Sequence, residues 1–210
     1  MNKLCLVLLS IFIFISGCTP VYTVHVNGFS KLEEPIEEKA LIYVTVDPNS
    51  RNPIFDNEIK TKIEVLLEER GYVPAPDAES SDYRLTFQAG LDSRKIAGYE
   101  PLYRPVIGFH DSYWGDYHFG YTSYVPYVDT YYDHWLVLKV FAAEPDEARQ
   151  TEQVVWIGEA MTGTNVADLR HVVNCLLVAD FEYFGEDTGR QMILKILPDD
   201  PRIIRISSLP

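Results

Sequence analysis

"WLVLKVFAAEPDEARQTEQVVWIGEAMT", residues 135–162, decides the fold. Its two ends, 135–143 and 154–162, are rich in aliphatic, β-branched and aromatic residues, and the middle, "EPDEARQTE", is polar and turn-like. Two such runs joined in this way predict an antiparallel hairpin. Upstream, residues 83–91 alternate, with Tyr83, Leu85, Phe87, Ala89 and Leu91 on one face and Arg84, Thr86 and Gln88 on the other. That period of two predicts a half-exposed strand beside the hairpin.

Residues 40–46, "ALIYVTV", form a compact apolar run expected of a strand covered on both faces. Asp47-Pro48 breaks it, and Asn52 followed by Pro53 makes a helix start, with proline at the position where a missing N–H is harmless. Phe55, Ile59, Ile63, Leu66 and Leu67 recur at helical spacing, and Gly71 stands where a left-handed residue would close the helix. A short extended piece, Tyr72-Val73-Pro74, and the polar loop "APDAESSD" lead into the alternating strand. Beyond the hairpin, Val166, Leu169, Val172, Val173, Leu176 and Leu177 predict a second amphipathic helix, and residues 189–197 suggest a last helical piece. The order predicts an α+β fold: a mixed or antiparallel sheet with two main helices packed on it and an aromatic-rich insert at 92–134. At 210 residues, 47% apolar and 23% charged, the chain has material for one core.

The first residues set the location. Met1-Asn2-Lys3 is a basic start, residues 4–15 are an apolar run of secretory length, too short to span a bilayer comfortably, and Ile15-Ser16-Gly17-Cys18 closes it. This ending resembles the lipobox of bacterial lipoproteins, which implies diacylation of the Cys18 thiol, cleavage before it, and acylation (palmitate) of the new terminus. Two or three chains, at ~0.8 kcal/mol per buried methylene, hold a domain on a membrane where one would be marginal. Thr19 stands where an aspartate would signal inner-membrane retention, so the resemblance favours the periplasmic face of the outer membrane. The expected organisation is a signal peptide over 1–17, a lipidated tether over 18–39, a single domain over 40–197 and a tail over 198–210. Within the tether, residues 21–26 are β-prone and 33–38 acidic.

With Cys5 removed and Cys18 acylated, Cys175 is the one remaining thiol, in an apolar helical pattern that predicts a buried small hydrophobe. The net charge of −13 repels nucleic acid and anionic lipid heads, so neither is an expected partner.

Several local motifs resemble the bacterial lipoproteins grouped as the DUF4136 family, a domain of unknown function: Leu66-Leu67 with Gly71-Tyr72, Ser81-Asp82-Tyr83, Trp156-Ile157-Gly158-Glu159-Ala160, and Phe184-Gly185 before a polar turn. The resemblance spans roughly residues 40–197 and implies no activity. In physical terms Trp156 is expected to anchor the core, and Gly158 to sit where a side chain would block packing.

The insert is the candidate site. Residues 113–135, "YWGDYHFGYTSYVPYVDTYYDHW", hold seven tyrosines and two tryptophans. Tyr113, Trp114, Tyr117, Tyr121, Tyr124, Tyr127, Tyr131, Tyr132 and Trp135 are the binding candidates, for an envelope protein because such residues enrich interfaces. The alternatives are stacking on peptidoglycan or another glycan, with Asp111, Asp116, Asp129 and Asp133 accepting hydroxyl protons, or packing on the domain itself. His110, Asp111, His118, Asp133 and His134 are ligand types without a ligand spacing, so no metal is expected. No nucleophile elbow, metalloprotease helix, phosphate loop or dinucleotide fingerprint occurs, and neither a cofactor nor an enzymatic activity is expected.

Overall fold

The hairpin over residues 135–162 stands at the centre of the sheet in a computed structural model of the protein, which describes residues 21–106, 119–143 and 153–209. The elements in chain order are β1 (Tyr22–Ser30), β2 (Leu41–Thr45), α1 (Pro53–Glu69), β3 (Val73–Pro74), β4 (Tyr83–Val106), β5 (Phe119–Ala142), β6 (Val154–Thr164), α2 (Leu169–Phe181), β7 (Met192–Ile196) and α3 (Pro201–Ser207). The strands make one seven-stranded sheet in the order β3-β2-β4-β5-β6-β1-β7. β2 runs parallel to β3 and β4, and every other pair is antiparallel, so the sheet is mixed and the fold is α+β.

Alternation along each strand puts one set of side chains on a single face: Val24, Val26, Ile42, Val44, Leu85, Leu136, Leu138, Val140 and Trp156 are fully buried there. α1 covers this face with Ile59, Ile63 and Leu67, and α2 with Val172, Val173, Leu176 and Leu177. Each such side chain contributes about 1.5–3 kcal/mol on burial, which holds helices of this length more firmly than propensity would. The opposite face of the sheet carries no helix, and Phe29, Met161 and Ile193 lie exposed on it. β2 is accordingly buried on alternate residues, rather than covered on both faces as its sequence suggested.

The α1 punctuation is as the sequence predicts. The Asn52 side chain accepts the Phe55 N–H at 3.2 Å, Pro53 opens the first turn, and Gly71 follows with φ +86°. Lys62 is buried to 2% exposure and meets Glu58 one turn earlier at 2.7 Å; Glu58 also faces Arg170 at 3.4 Å and so ties α1 to α2.

The short motifs, far apart in sequence, converge. Phe184 stands 5.4 Å from Tyr72, 4.8 Å from Trp156 and 5.0 Å from Phe181, ring centroid to centroid. The Trp156 indole N–H donates to the Glu186 carbonyl at 3.0 Å. A Cβ on Gly158 would fall 2.3 Å from the Trp156 ring, so only glycine fits beneath it. Asp82 links β2 to β4: its carboxylate accepts the Leu41 N–H, and its own N–H donates to the Leu41 carbonyl, both at 2.8 Å.

Three expectations need correction. Residues 22–30 of the expected tether are a sheet strand, β1, which pairs with β6 on one side and β7 on the other, because Val24 and Val26 belong to the core. The helical piece suggested over 189–197 is instead the strand β7, in which Met192, Leu194 and Ile196 alternate toward the core with no helical face to bury. The expected tail contains α3, capped by the Asp200 side chain and held by buried Ile203 and Ile206.

Candidate functional site

The aromatic insert is the continuation of β4 and β5 past the rest of the sheet. β6 leaves β5 at Tyr132 and β2 leaves β4 at Thr86, while the β4–β5 pairing runs on unbroken to Val106↔Phe119. At ~3.4 Å per residue, β5 alone extends roughly 40 Å beyond its last pairing with β6. Nothing else in the described residues covers this two-stranded arm, and a hairpin alone is marginal in water. Pairing from Tyr83↔Ala142 outward keeps one register, so side chains two apart share a face over residues 83–103 and 122–142.

The outer face, opposite the helices, is partly covered from within, with Ile96, Leu102, Val125 and Tyr127 left 40–44% exposed on it. The Trp135 ring lies on Gly90, where a Cβ would come within 2.2 Å of it, and its indole N–H donates to Asp92 Oδ2 at 3.1 Å. Tyr131 lies against Gly163 of β6 and Tyr127 over Gly98, with a Cβ at those glycines 2.8 Å and 2.7 Å from the rings. Arg94 binds Asp133 at 3.0 Å and reaches over the Tyr131 ring at 5.3 Å. Glycine opposite an aromatic residue lets the ring lie flat on the neighbouring strand, which makes these contacts part of the scaffold.

The inner face, continuous with the core face, differs. Past half-buried Tyr132 it carries Ala97, Tyr99, Pro101 and Tyr103 on β4, opposite Val128, Pro126, Tyr124 and Thr122 on β5. Tyr99 is 72% exposed, Tyr124 67%, Val128 63% and Tyr103 60%. Isolated surface apolar residues are ordinary; here they form a contiguous strip.

The candidate set therefore splits. Tyr124 is exposed, Tyr131 and Trp135 pack on glycines, Tyr127 packs on Gly98 yet stays 40% exposed, and Tyr132 sits at the arm's base. Tyr121 lies in β5 near the far end of the arm. Cys18, His110, Asp111, Tyr113, Trp114, Asp116, Tyr117 and His118 lie outside the described residues. Tyr99 and Tyr103, absent from the candidate set, belong to the exposed strip; their spacing of four shows a shared face only once the extended run 92–106 is read as strand.

Where the arm joins the body, an open groove of about 1140 Å³ is lined by Tyr22, Thr23, Asp129, Tyr131, Thr164 and His171 among others. The Tyr22 and His171 rings stand 6.2 Å apart. Asp129 and Asp133 share the outer face, as expected of residues four apart in a strand, but Asp133 is neutralised by Arg94. His134 points the other way, into the core, where burial pushes its imidazole below the ordinary histidine value. Among the described residues no three His, Cys, Asp or Glu side chains gather as a metal site would require. The Cys175 thiol is pushed up to about 12 by burial, the state of an inert core residue. No helix among the described residues is long and apolar enough to cross a membrane.

No family model matches the chain, and no curated protein matches it. Among solved structures it is similar to the PelC dodecamer from Paraburkholderia phytofirmans, 12% identical over 79% of this chain and 99% of that one, with a TM-score of 0.41. A PDZ domain protein from Parabacteroides distasonis is 16% identical over 90% of this chain and 42% of its own, with a TM-score of 0.43. A DUF4136 family protein from Bacteroides thetaiotaomicron is 15% identical over 80% of this chain and 94% of its own, with a TM-score of 0.38.

Proposed function

We propose that the protein is a lipoprotein of the DUF4136 type, acylated at Cys18 and held at the periplasmic face of the outer membrane, where it acts as a non-catalytic binding module. The lipobox-like Ile15-Ser16-Gly17-Cys18 supports the anchor, and Thr19 supports the outer membrane. The observation that carries the binding role is the uncovered arm, whose inner face presents Tyr99, Tyr103 and Tyr124 at 60–72% exposure, against 40–44% for Ile96, Leu102, Val125 and Tyr127 on an outer face partly covered by its own ring–glycine contacts and ion pair. An envelope protein is the partner class that fits, since tyrosines bring large contact area at low side-chain entropy.

A second reading, glycan binding, is favoured by the groove at the arm's base, where Tyr22 and Tyr131 lie beside Asp129, Thr164 and His171. A photo-reactive phenylalanine placed at Tyr124 and irradiated in intact envelopes separates the two. Adducts of discrete protein mass support the first reading, adducts only on sacculi support the second, and no adduct with either overturns the docking role. Mass spectrometry of the processed chain tests the anchor: a diacylglyceryl group on Cys18 is expected, and a free thiol there contradicts it.

A further inference from the structure

Resting on the reading of the arm as a docking surface, we propose that its inner face binds the same face of a second copy of this chain. The register makes that face self-complementary. Tyr99 stands opposite Pro126, and two residues further along Pro101 stands opposite Tyr124. Large and small side chains thus alternate both along each strand and across the pair, in a chequerboard. A second copy turned about a two-fold axis along the arm brings its Tyr99 over Pro126 and its Tyr124 over Pro101. An axis across the arm, midway between the two rows, brings Tyr99 over Pro101 and Tyr124 over Pro126. Either way the Tyr99 and Tyr124 rings each meet a pyrrolidine ring, Tyr103 falls over a small residue, Thr122 or Ala97, and each contact occurs twice, as an isologous dimer requires.

The area is adequate. At ~150–250 Å² per aromatic side chain, three tyrosines exposed at 72, 60 and 67% offer on the order of 400 Å². That is half of the ~800 Å² per partner in an interface of ordinary size, and Val128, Pro101, Pro126 and Thr122 continue the strip.

Edge-to-edge addition is the other way two arms could join, and the same prolines block it. Pro101 and Pro126 lie in pairs two steps apart, hence of the same hydrogen-bonding class, and a proline within a ladder must turn its nitrogen outward. Each free edge therefore lacks a donor near its middle, a standard defence against strand addition. A sugar occupant would need acceptors beside the rings, yet Asp92, Asp129 and Asp133 all project from the opposite face.

Sedimentation velocity of the acylated full chain in detergent, over a hundredfold range of concentration, tests this. The wild type is expected to dimerise, Tyr99→Ser/Tyr124→Ser to weaken the dimer at least tenfold with circular dichroism and Tm unchanged, and Asp129→Asn on the outer face to dimerise as the wild type does. A dimer that Asp129→Asn disrupts as strongly as the double substitution would overturn the proposal. So would a wild type that stays monomeric throughout: if Tyr99 and Tyr124 were still shielded from radical oxidation in intact envelopes, the dimer would fall and the docking role would stand, and if they were open there, both would fall.

Discussion

Trp135→Ala should destabilise the whole domain, whereas Tyr124→Ala, eleven positions back along the same strand, should not. Trp135 is at most about one-third exposed, packs on Gly90 and donates to Asp92, at the place where the arm enters the sheet. Taking ~200 Å² for the side chain and about two-thirds of it removed from water at ~25 cal/mol per Å² gives about 3 kcal/mol, an upper value because denatured chains already bury part of their surface. The hydrogen bond is exposed and adds little. We therefore expect a loss of about 2–3 kcal/mol, which for a domain of this size lowers Tm by roughly 5–10 °C. Tyr124, 67% exposed, should stay within about 0.5 kcal/mol of wild type. Urea titration followed by far-ultraviolet circular dichroism, at protein concentrations too low for association, reads both. Equal losses, or a larger loss for Tyr124→Ala, would refute the reading of Trp135 as packed into the arm's base and Tyr124 as open.

Other outcomes follow from buried polar groups. Asp180 is fully buried without a hydrogen-bond partner, and burial, with the nearby Glu159 charge, pushes its carboxyl well above the ordinary value. The folded chain then keeps a proton that the unfolded chain releases above about pH 4, so this group's contribution to stability is lost as pH rises from there through the folded-state value. Asp180→Asn should remove that slope, and urea midpoints of variant and wild type that run parallel from pH 4 to 8 would contradict it. At the α1–α2 contact, Glu58→Ala leaves Lys62 buried and unpaired and should cost about 3–5 kcal/mol, while Lys62→Met should cost far less; denaturation midpoints in the reverse order would sink this account. Cys175 should react with a thiol reagent only at the rate of unfolding, and stoichiometric labelling within seconds under native conditions would show that it is not buried.

The α+β plan was legible because its main elements carry strong local signals. The Asn52-Pro53 start and Gly71 stop of α1, the alternation of residues 83–91 and the two apolar runs of the β5–β6 hairpin need no tertiary information. β1 and β7 were harder to read. Each is a short apolar segment whose strand character depends on pairing with the other and with β6, and β7's continuous Met-Ile-Leu-Lys-Ile suits a helix as well as a strand until a sheet edge is available. The site was legible in place but not in detail. Tyrosine density marked the insert, but only the β4–β5 register places Tyr127 on Gly98, Trp135 on Gly90, and Tyr99 with Tyr124 on the open face.

The most direct test of the docking account is hydroxyl-radical footprinting of the full chain, in dilute detergent and in intact envelopes, read at six aromatic residues. Tyr99, Tyr103 and Tyr124 should oxidise readily in dilute detergent and become protected in the envelope, while Tyr127, Tyr131 and Trp135 should change little between the two. Inner-face tyrosines that stay equally reactive in both settings would contradict the claim that this face is built to be covered.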